Sequence, residues 1–343
     1  MTRPRTNRVA APLWIAAGAA LLAGLAHAIG LERFTGALAS TAPERLAPFL
    51  VLTTSVVALY ALRWKIVHEA IDGGSPLSLG RLFRIRAAGQ AAGTLLPPAV
   101  ISGDAARIVL AHRSGLSARS AALGVAIDRL LELSANAVAG PVYVAVFALH
   151  SSGFGRPVAW IAGGMAVGAS ALALFYLFAF RGGRGLSTVL RGETMAPLRR
   201  HLEDAETGFR GFLRTPAFRR ALLLSLAIEV VVVAEFHALF RAFGVPVPLP
   251  TVLASLVGLG AAYLAPVPAG LGTLEATQVG VVTLGGGNAD LGLAVGLLIR
   301  LRETLWLVAG GLCLYAEGAS FAAIGRAPAP RDSGNTSAIE PNE

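Results

Sequence analysis

The sequence reads as an all-α polytopic membrane protein: a helical bundle with two inverted-topology halves, each containing a Pro/Gly-broken re-entrant hairpin. Composition is the first ground for this. Of 343 residues, 55% are hydrophobic and 14% charged, and the mean hydropathy of +0.64 is far above that of an ordinary globular domain. The second ground is a pair of interrupted apolar segments, one from Gly89 to Arg113 and one from Leu264 to Glu275. Pro97 and Pro98 in the first, and Pro266 and Pro268 in the second, remove backbone donors and clash with the preceding turn, so no straight helix passes through either. In each, a Pro is followed six residues later by a Gly that opens a new apolar run, Pro97 with Gly103 and Pro266 with Gly272. A bilayer tolerates such a break only where protein or a water-filled cavity covers it, and paired breaks in corresponding halves point to a transport site. The third ground is the arginine distribution, which marks alternate connections between apolar runs as cytoplasmic.

Taken in order, residues 1–8 form a basic N-terminus (Arg3, Arg5, Arg8), and the apolar run from Val9 to Leu31 is long enough to span a bilayer. Ala26-His27-Ala28 also has the form of a signal-peptidase site, so retention and cleavage of this first segment both stand. Glu32 to Pro48 reads as a short loop and Phe49 to Ala70 as a span; Arg63, Trp64 and Lys65, followed by Arg81, Arg84 and Arg86, assign its far end to the cytoplasm. The first broken segment leaves and re-enters on that side, since Arg107, Arg113 and Arg119 continue the basic pattern. Ala121 to Leu149 is a long helix, His150 to Arg156 an outer loop, and Pro157 to Phe180 a span back. The basic loop 181–220 is cytoplasmic, either solvated or carrying an amphipathic helix with Leu198, Leu202, Phe209, Phe212 and Leu213 on its apolar face. Ala221 to Phe243 crosses outward, Gly244 to Pro250 turns, Thr251 to Leu284 holds the second broken hairpin, and Leu291 to Ala323 returns inward. The polar, Pro-rich tail 324–343 is expected to be disordered. This gives one integral membrane domain over 9–323, with halves of about 9–150 and 157–323 and both termini in the cytoplasm.

The same residues exclude other classes. The net charge of +9 comes from arginines set between apolar spans, not from a basic module interleaved with aromatics, so no nucleic-acid partner is expected. The single cysteine, Cys313, lies in an apolar run and the six histidines have no ligand spacing, so neither a disulfide nor a metal site is expected. Gly270-x-Gly272 and Gly285-Gly286-Gly287 lack the strand, turn and helix context of a nucleotide loop. No Walker sequence, zincin helix or nucleophile elbow appears, so neither enzyme chemistry nor a cofactor is expected, and energy would come from ion gradients or downhill flow.

The candidate binding residues are Asp104, Arg107, Asp128, Arg129, Glu275, Arg300 and Arg302. Counting about 1.5 Å per residue from a helix start near Ser120 puts Asp128 and Arg129 roughly 12 to 14 Å into the bilayer, close to its midplane. An uncompensated charge there costs on the order of 3 kcal/mol, so these side chains must face a cavity or one another. Asp128 and Glu132 share a helical face and Arg129 points about 100° away; it is either an interhelical ion-pair partner or a ligand for cargo. Asp104 follows Gly103 at an expected helix start, where a carboxylate caps free backbone N–H groups. Arg107 is close enough to pair with it, and near a helix N-terminus it also favours phosphate. In the second hairpin Thr273 is placed as the cap and Glu275 in the first turn. Glu229 and Glu235 have no local cation and are either protonated or paired across helices, with Arg300 or Arg302 as candidates.

At Leu96-Pro97 through Gly103-Asp104-x-x-Arg107, at Asp128-Arg129, and at Pro266-x-Pro268-x-Gly270-x-Gly272-x-x-Glu275 followed by an Arg-bearing helix, the sequence resembles the flippase-like membrane region of the lysylphosphatidylglycerol synthase family, an uncharacterised integral membrane protein family. The resemblance covers roughly Leu13 to Ala323. It implies translocation of an anionic or phosphate-headgroup lipid between leaflets of the cell membrane, the cargo being an aminoacyl-phospholipid, an isoprenoid-linked lipid or a hopanoid-type lipid. Synthases of this family carry a soluble aminoacyl-transfer domain after the membrane region, whereas here only the polar stretch 324–343 follows Ala323, so synthesis of the lipid is not expected of this chain. Two other readings stand beside transport: an accessory subunit that anchors a lipid-synthesising enzyme or glycosyltransferase partner through the basic loop, and a membrane-embedded lipid-modifying enzyme using Asp104, Asp128 or Glu275 as base.

Overall fold

The computed structural model describes residues 43–74, 77–95, 99–150, 156–181, 196–264 and 272–316. The expected first span, the tips of both broken segments, the outer loop at 151–155 and the tail lie outside these residues. Ten helices make up the described chain: α1 (Pro43–Asp72), α2 (Leu79–Leu95), α3 (Ala99–Arg113), α4 (Ala118–His150), α5 (Arg156–Arg181), α6 (Ala196–Leu213), α7 (Pro216–Ala242), α8 (Leu249–Leu264), α9 (Thr273–Leu284) and α10 (Ala289–Ala316).

The molecule is apolar outside and charged inside. Val138, Val142, Val167, Leu174 and Val230 are exposed, whereas Arg63, Arg107, Asp128, Glu235, Glu275 and Arg300 are buried. Among the described residues α1, α4 and α7 are long and apolar enough to cross a membrane. The 28-residue α10 has the length as well, but Arg300, Arg302 and Glu303 interrupt it. This is an all-α integral membrane protein.

Two boundaries differ from the sequence reading. The helix α1 starts at Pro43, ahead of Phe49, because Pro suits a first helical position and Glu44 favours the dipole of the first turn. The far end of the basic loop is helical: α6 forms, and Arg219 and Arg220 already belong to α7, whose start is set by Pro216. Phe209 and Phe212 of α6 pack on Val67, Leu123, Ile127 and Ala217, so that part of its apolar face is covered by the bundle. Leu198 and Leu202 lie outside the described side chains.

Both broken segments fold back on themselves. Arms α2 and α3 meet at glycines: a Cβ on Gly103 would stand 2.9 Å from the Gly89 carbonyl oxygen, and a Cβ on Gly89 would stand 3.0 Å from that of Gly103. Arms α8 and α9 are held by Gln278, whose amide donates to the Ser255 carbonyl at 3.1 Å, and by Thr273, which donates to the Ala262 carbonyl at 3.2 Å.

The element order repeats. The offset that carries Arg113, the end of α3, to Leu284, the end of α9, also carries the start of α4 to the start of α10. It also superposes Gly115 on Gly286, both at positive φ (109° and 86°), where glycine takes the left-handed turn without strain. Contacts are exchanged between the repeats: α2 packs on α10, and α8 packs on α4. Helices α1 and α7 pack on each other and run antiparallel, since Phe49 lies with Phe236 and Phe240 while Val67 lies with Ala217 and Ala221.

Candidate functional site

The site is built around Asp128 on α4, which is 0% exposed. Three arginines from three other helices converge on its carboxylate. From α1, Arg63 donates through Nε to Oδ1 at 2.8 Å and through Nη2 to the Asp128 carbonyl oxygen at 3.1 Å. Arg86 of α2 and Arg107 of α3 donate to Oδ2 at 2.7 and 2.6 Å. One carboxylate thus fixes four helices, and breaking the arrangement would strand charge in a low-dielectric interior.

A second layer lies beside this hub. Arg129 grips Asp104 with two parallel bonds, Nε to Oδ2 at 3.0 Å and Nη2 to Oδ1 at 2.9 Å, the bidentate geometry that guanidinium and carboxylate favour. It also donates to Glu132 Oε1 at 3.0 Å. Arg107 reaches Asp104 Oδ1 at 3.2 Å, and Arg86 reaches Glu132 Oε2 at 3.3 Å. Aromatic faces carry part of the cationic charge: the guanidinium carbons of Arg63 and Arg86 stand 4.8 and 4.4 Å from the centre of the Tyr60 ring, and that of Arg107 stands 4.5 Å from Trp64. Among the described residues, four arginines therefore face three carboxylates. The open edge of the cluster is Arg129, 29% exposed, whereas Arg107 at 3% forms its closed back.

The second centre uses the equivalent residues of the other half. Arg300 donates to Glu275 at 2.8 and 3.5 Å and to Glu303 at 3.0 Å. The acid and the arginine stand 25 residues apart in both centres, Asp104 with Arg129 and Glu275 with Arg300, and in both the arginine pairs with a glutamate three residues on. Tyr263 donates to Glu303 as well. Arg302 turns away, to Glu235 on α7 at 2.9 Å. No cluster of three or more His, Cys, Asp or Glu among the described residues is arranged to hold a metal ion.

All seven candidate residues are thus in ion pairs: Asp104, Arg107, Asp128 and Arg129 in the first centre, Glu275 and Arg300 in the second, and Arg302 beside it. Several local roles are corrected. Asp104 does not cap a helix start, because α3 begins at Ala99 and its carboxylate is taken by arginines. For the same reason Arg107 is too far along α3 for the helix N-terminus to help it bind an anion. Gly103 packs against Gly89 inside α3, whereas Gly272 is the N-cap of α9, so the two glycines do not correspond. Thr273 is the first helical residue and bonds across to α8, and Glu275 accepts the Gly272 N–H at 2.9 Å instead. Arg302 does not join Arg300 on Glu275; it pairs with Glu235, one of the two cross-helix options the sequence left open. Glu229 accepts from Tyr143 at 3.3 Å.

Sequence reasoning missed Arg63 and Arg86 as site residues, counting them as markers of the cytoplasmic side. Both are interior. The signal was there for Arg63, which lies inside the apolar run from Phe49 to Ala70 and not beyond it. Arg86 gave none, since its burial depends on which face of α2 meets α4.

A family model described as the lysylphosphatidylglycerol synthase TM region matches residues 9–311. No curated protein matches the chain.

Proposed function

Because the chain belongs to the lysylphosphatidylglycerol synthase membrane-region family, we propose that it is a lipid transporter, not an enzyme, moving an anionic or phosphate-headgroup lipid between leaflets of the cell membrane. One observation carries this reading: four buried or half-buried arginines gather on Asp104, Asp128 and Glu132, inside a shell of exposed apolar side chains. A phosphate oxygen entering at the Arg129 edge meets a half-exposed guanidinium held by Asp104 and Glu132, and can take over charge-assisted hydrogen bonds from them. Intramembrane charge of this density marks a substrate pathway more often than a scaffold. The repeated helix order, the antiparallel α1 and α7 and the exchanged partners of α2 and α8 support an inverted repeat with broken hairpins re-entering from opposite sides. On this reading both termini are cytoplasmic, and the second centre lies on the opposite side of the headgroup's route. Asp104, Asp128 and Glu275 are each held by arginines and so are poor bases, which weighs against the enzyme reading.

The test is lipid exchange between leaflets of reconstituted vesicles carrying a fluorescent anionic phospholipid. Arg129→Gln should abolish exchange, and the double variant with Asp104→Asn, which removes the bidentate pair as a whole, should stay inactive while still folding. Recovery in the double variant would show that Arg129 only balances charge, because deleting a whole buried pair is tolerated where deleting one partner is not.

A further inference from the structure

Three buried ring or guanidinium nitrogens behind the first centre have no hydrogen-bond partner among the described residues: Trp64 Nε1, His68 Nε2 and Arg107 Nε. Trp64, His68 and Arg107 are 0%, 0% and 3% exposed. They are neighbours, not scattered. The Trp64 and His68 ring centroids are 5.2 Å apart, and Arg107 lies over the Trp64 ring at 4.5 Å. Leaving even one such group dry costs its full desolvation, and buried polar groups without protein partners are where internal water sits.

The row continues outward. Ser120 Oγ donates to Asp72 Oδ2 at 2.5 Å, so its lone pair is turned to His68 Nδ1, 3.4 Å away. That contact places the proton on Nδ1 and leaves Nε2 an acceptor. Going inward, the row therefore offers an acceptor and then two donors, Trp64 N–H and Arg107 Nε–H, a set that water satisfies in both directions. Asp72 and Ser120 in turn line a cavity of about 300 Å³ with Ser117, Arg119 and Gly208, where α1, α4 and α6 meet. At the inner end, Arg107 holds Asp128.

We propose that a file of internal water runs from this cavity past His68 and Trp64 to Arg107, hydrating the buried charged centre from behind. Asp128, Arg107, Asp72 and Ser120 are the charged and polar groups that face it from α1, α3 and α4. The path goes beyond the transport reading and does not need it. It is closed to a headgroup, since Trp64, His68 and Arg107 are all buried and the His68 ring lies against Gly124, where a Cβ would stand 2.3 Å from Cε1. Its role is to let the arginines of the hub exchange ligands without any of them standing bare in a dry interior.

Hydroxyl-radical footprinting of the full chain in lipid nanodiscs tests this without any transport assay, because radicals formed from bound water modify the side chains beside it. Trp306 is the internal control: it is also buried, at 9%, but its N–H is spent on Thr53 at 3.1 Å. Trp64 and His68 should be modified several-fold faster than Trp306. His68→Phe, which keeps a ring and removes both nitrogens, should slow modification of Trp64 and leave Trp306 unchanged, and Gly124→Ala should do the same by pressing on the ring. Modification of Trp64 as slow as that of Trp306 would overturn the proposal. So would fast modification that neither variant alters, since water would then arrive by another route.

Discussion

The two charged centres share a frame and differ in what fills it. Asp104, Arg129 and Glu132 in the first half are matched by Glu275, Arg300 and Glu303 in the second, with the same separations and the same pairings. The hub is not matched. Where the first half has Arg63, Arg86, Arg107 and Asp128, the same offset puts Ala234, Val257, Gln278 and Ile299 in the second. Gln278 turns its amide to Ser255 and takes no part in the ion pairs of its centre. The triad that ties a hairpin to its long helix thus occurs in both halves, whereas among the described residues the hub occurs in the first alone. The arginines differ in number as well: Arg63, Arg86, Arg107 and Arg129 meet Asp104, Asp128 and Glu132 in the first centre, whereas Arg300 and Arg302 meet Glu235, Glu275 and Glu303 in the second.

The hub offers the harshest way to break this comparison. Asp128→Asn leaves three guanidiniums converging on a neutral amide and should cost about 3–5 kcal/mol, read as loss of the folded fraction on heating in detergent. Unfolding together with the parent would mean that the hub does not hold α1, α2 and α3 to α4. A smaller effect compares the equivalent arginines. Arg300, 2% exposed, should cost about 3 kcal/mol when changed to Gln, whereas Arg129→Gln, at 29% exposure, should cost about 1–2 kcal/mol because solvent screens what remains. Equal losses would refute the idea that burial separates two otherwise equal pairs. The smallest and most diagnostic effect concerns the glutamates. Glu303→Gln takes a partner from one arginine, Arg300, and should change stability by less than about 1 kcal/mol, while Glu132→Gln takes a partner from both Arg86 and Arg129 and should cost about 1–3 kcal/mol. Denaturant midpoints that reverse this order would mean that the number of arginines a glutamate holds does not set its weight.

The fold was legible where its cause is local. A lone Pro does not end a helix here, since α1 and α4 run through Pro48 and Pro141, but the Pro and Gly clusters around Pro97 and Pro268 do, and a long apolar run must be covered by lipid or protein, so the broken segments and the membrane class follow from spacing alone. Arg129 and Arg300 were legible as well, because a charge midway along an apolar helix has few places to go. The hub was not. Arg63, Arg86 and Arg107 meet only because three separate helices turn particular faces to α4, and nothing within any one helix records that. The same holds for Asp104, which looked like a cap until the structure showed the helix starting earlier and its carboxylate held by Arg129.

The contact at Gly310 limits how this molecule can move. A methyl there would stand 2.1 Å from the Ala87 carbonyl oxygen, so α10 lies backbone to backbone on the first arm of the opposite half's hairpin. Small-residue contacts of this closeness behave as welds, since dispersion is lost steeply with even a small gap. The last helix of one half is thus joined to the hairpin of the other. Rocking one half as a rigid block against its twin would shear that weld, so the motions this packing leaves open belong to parts smaller than a half.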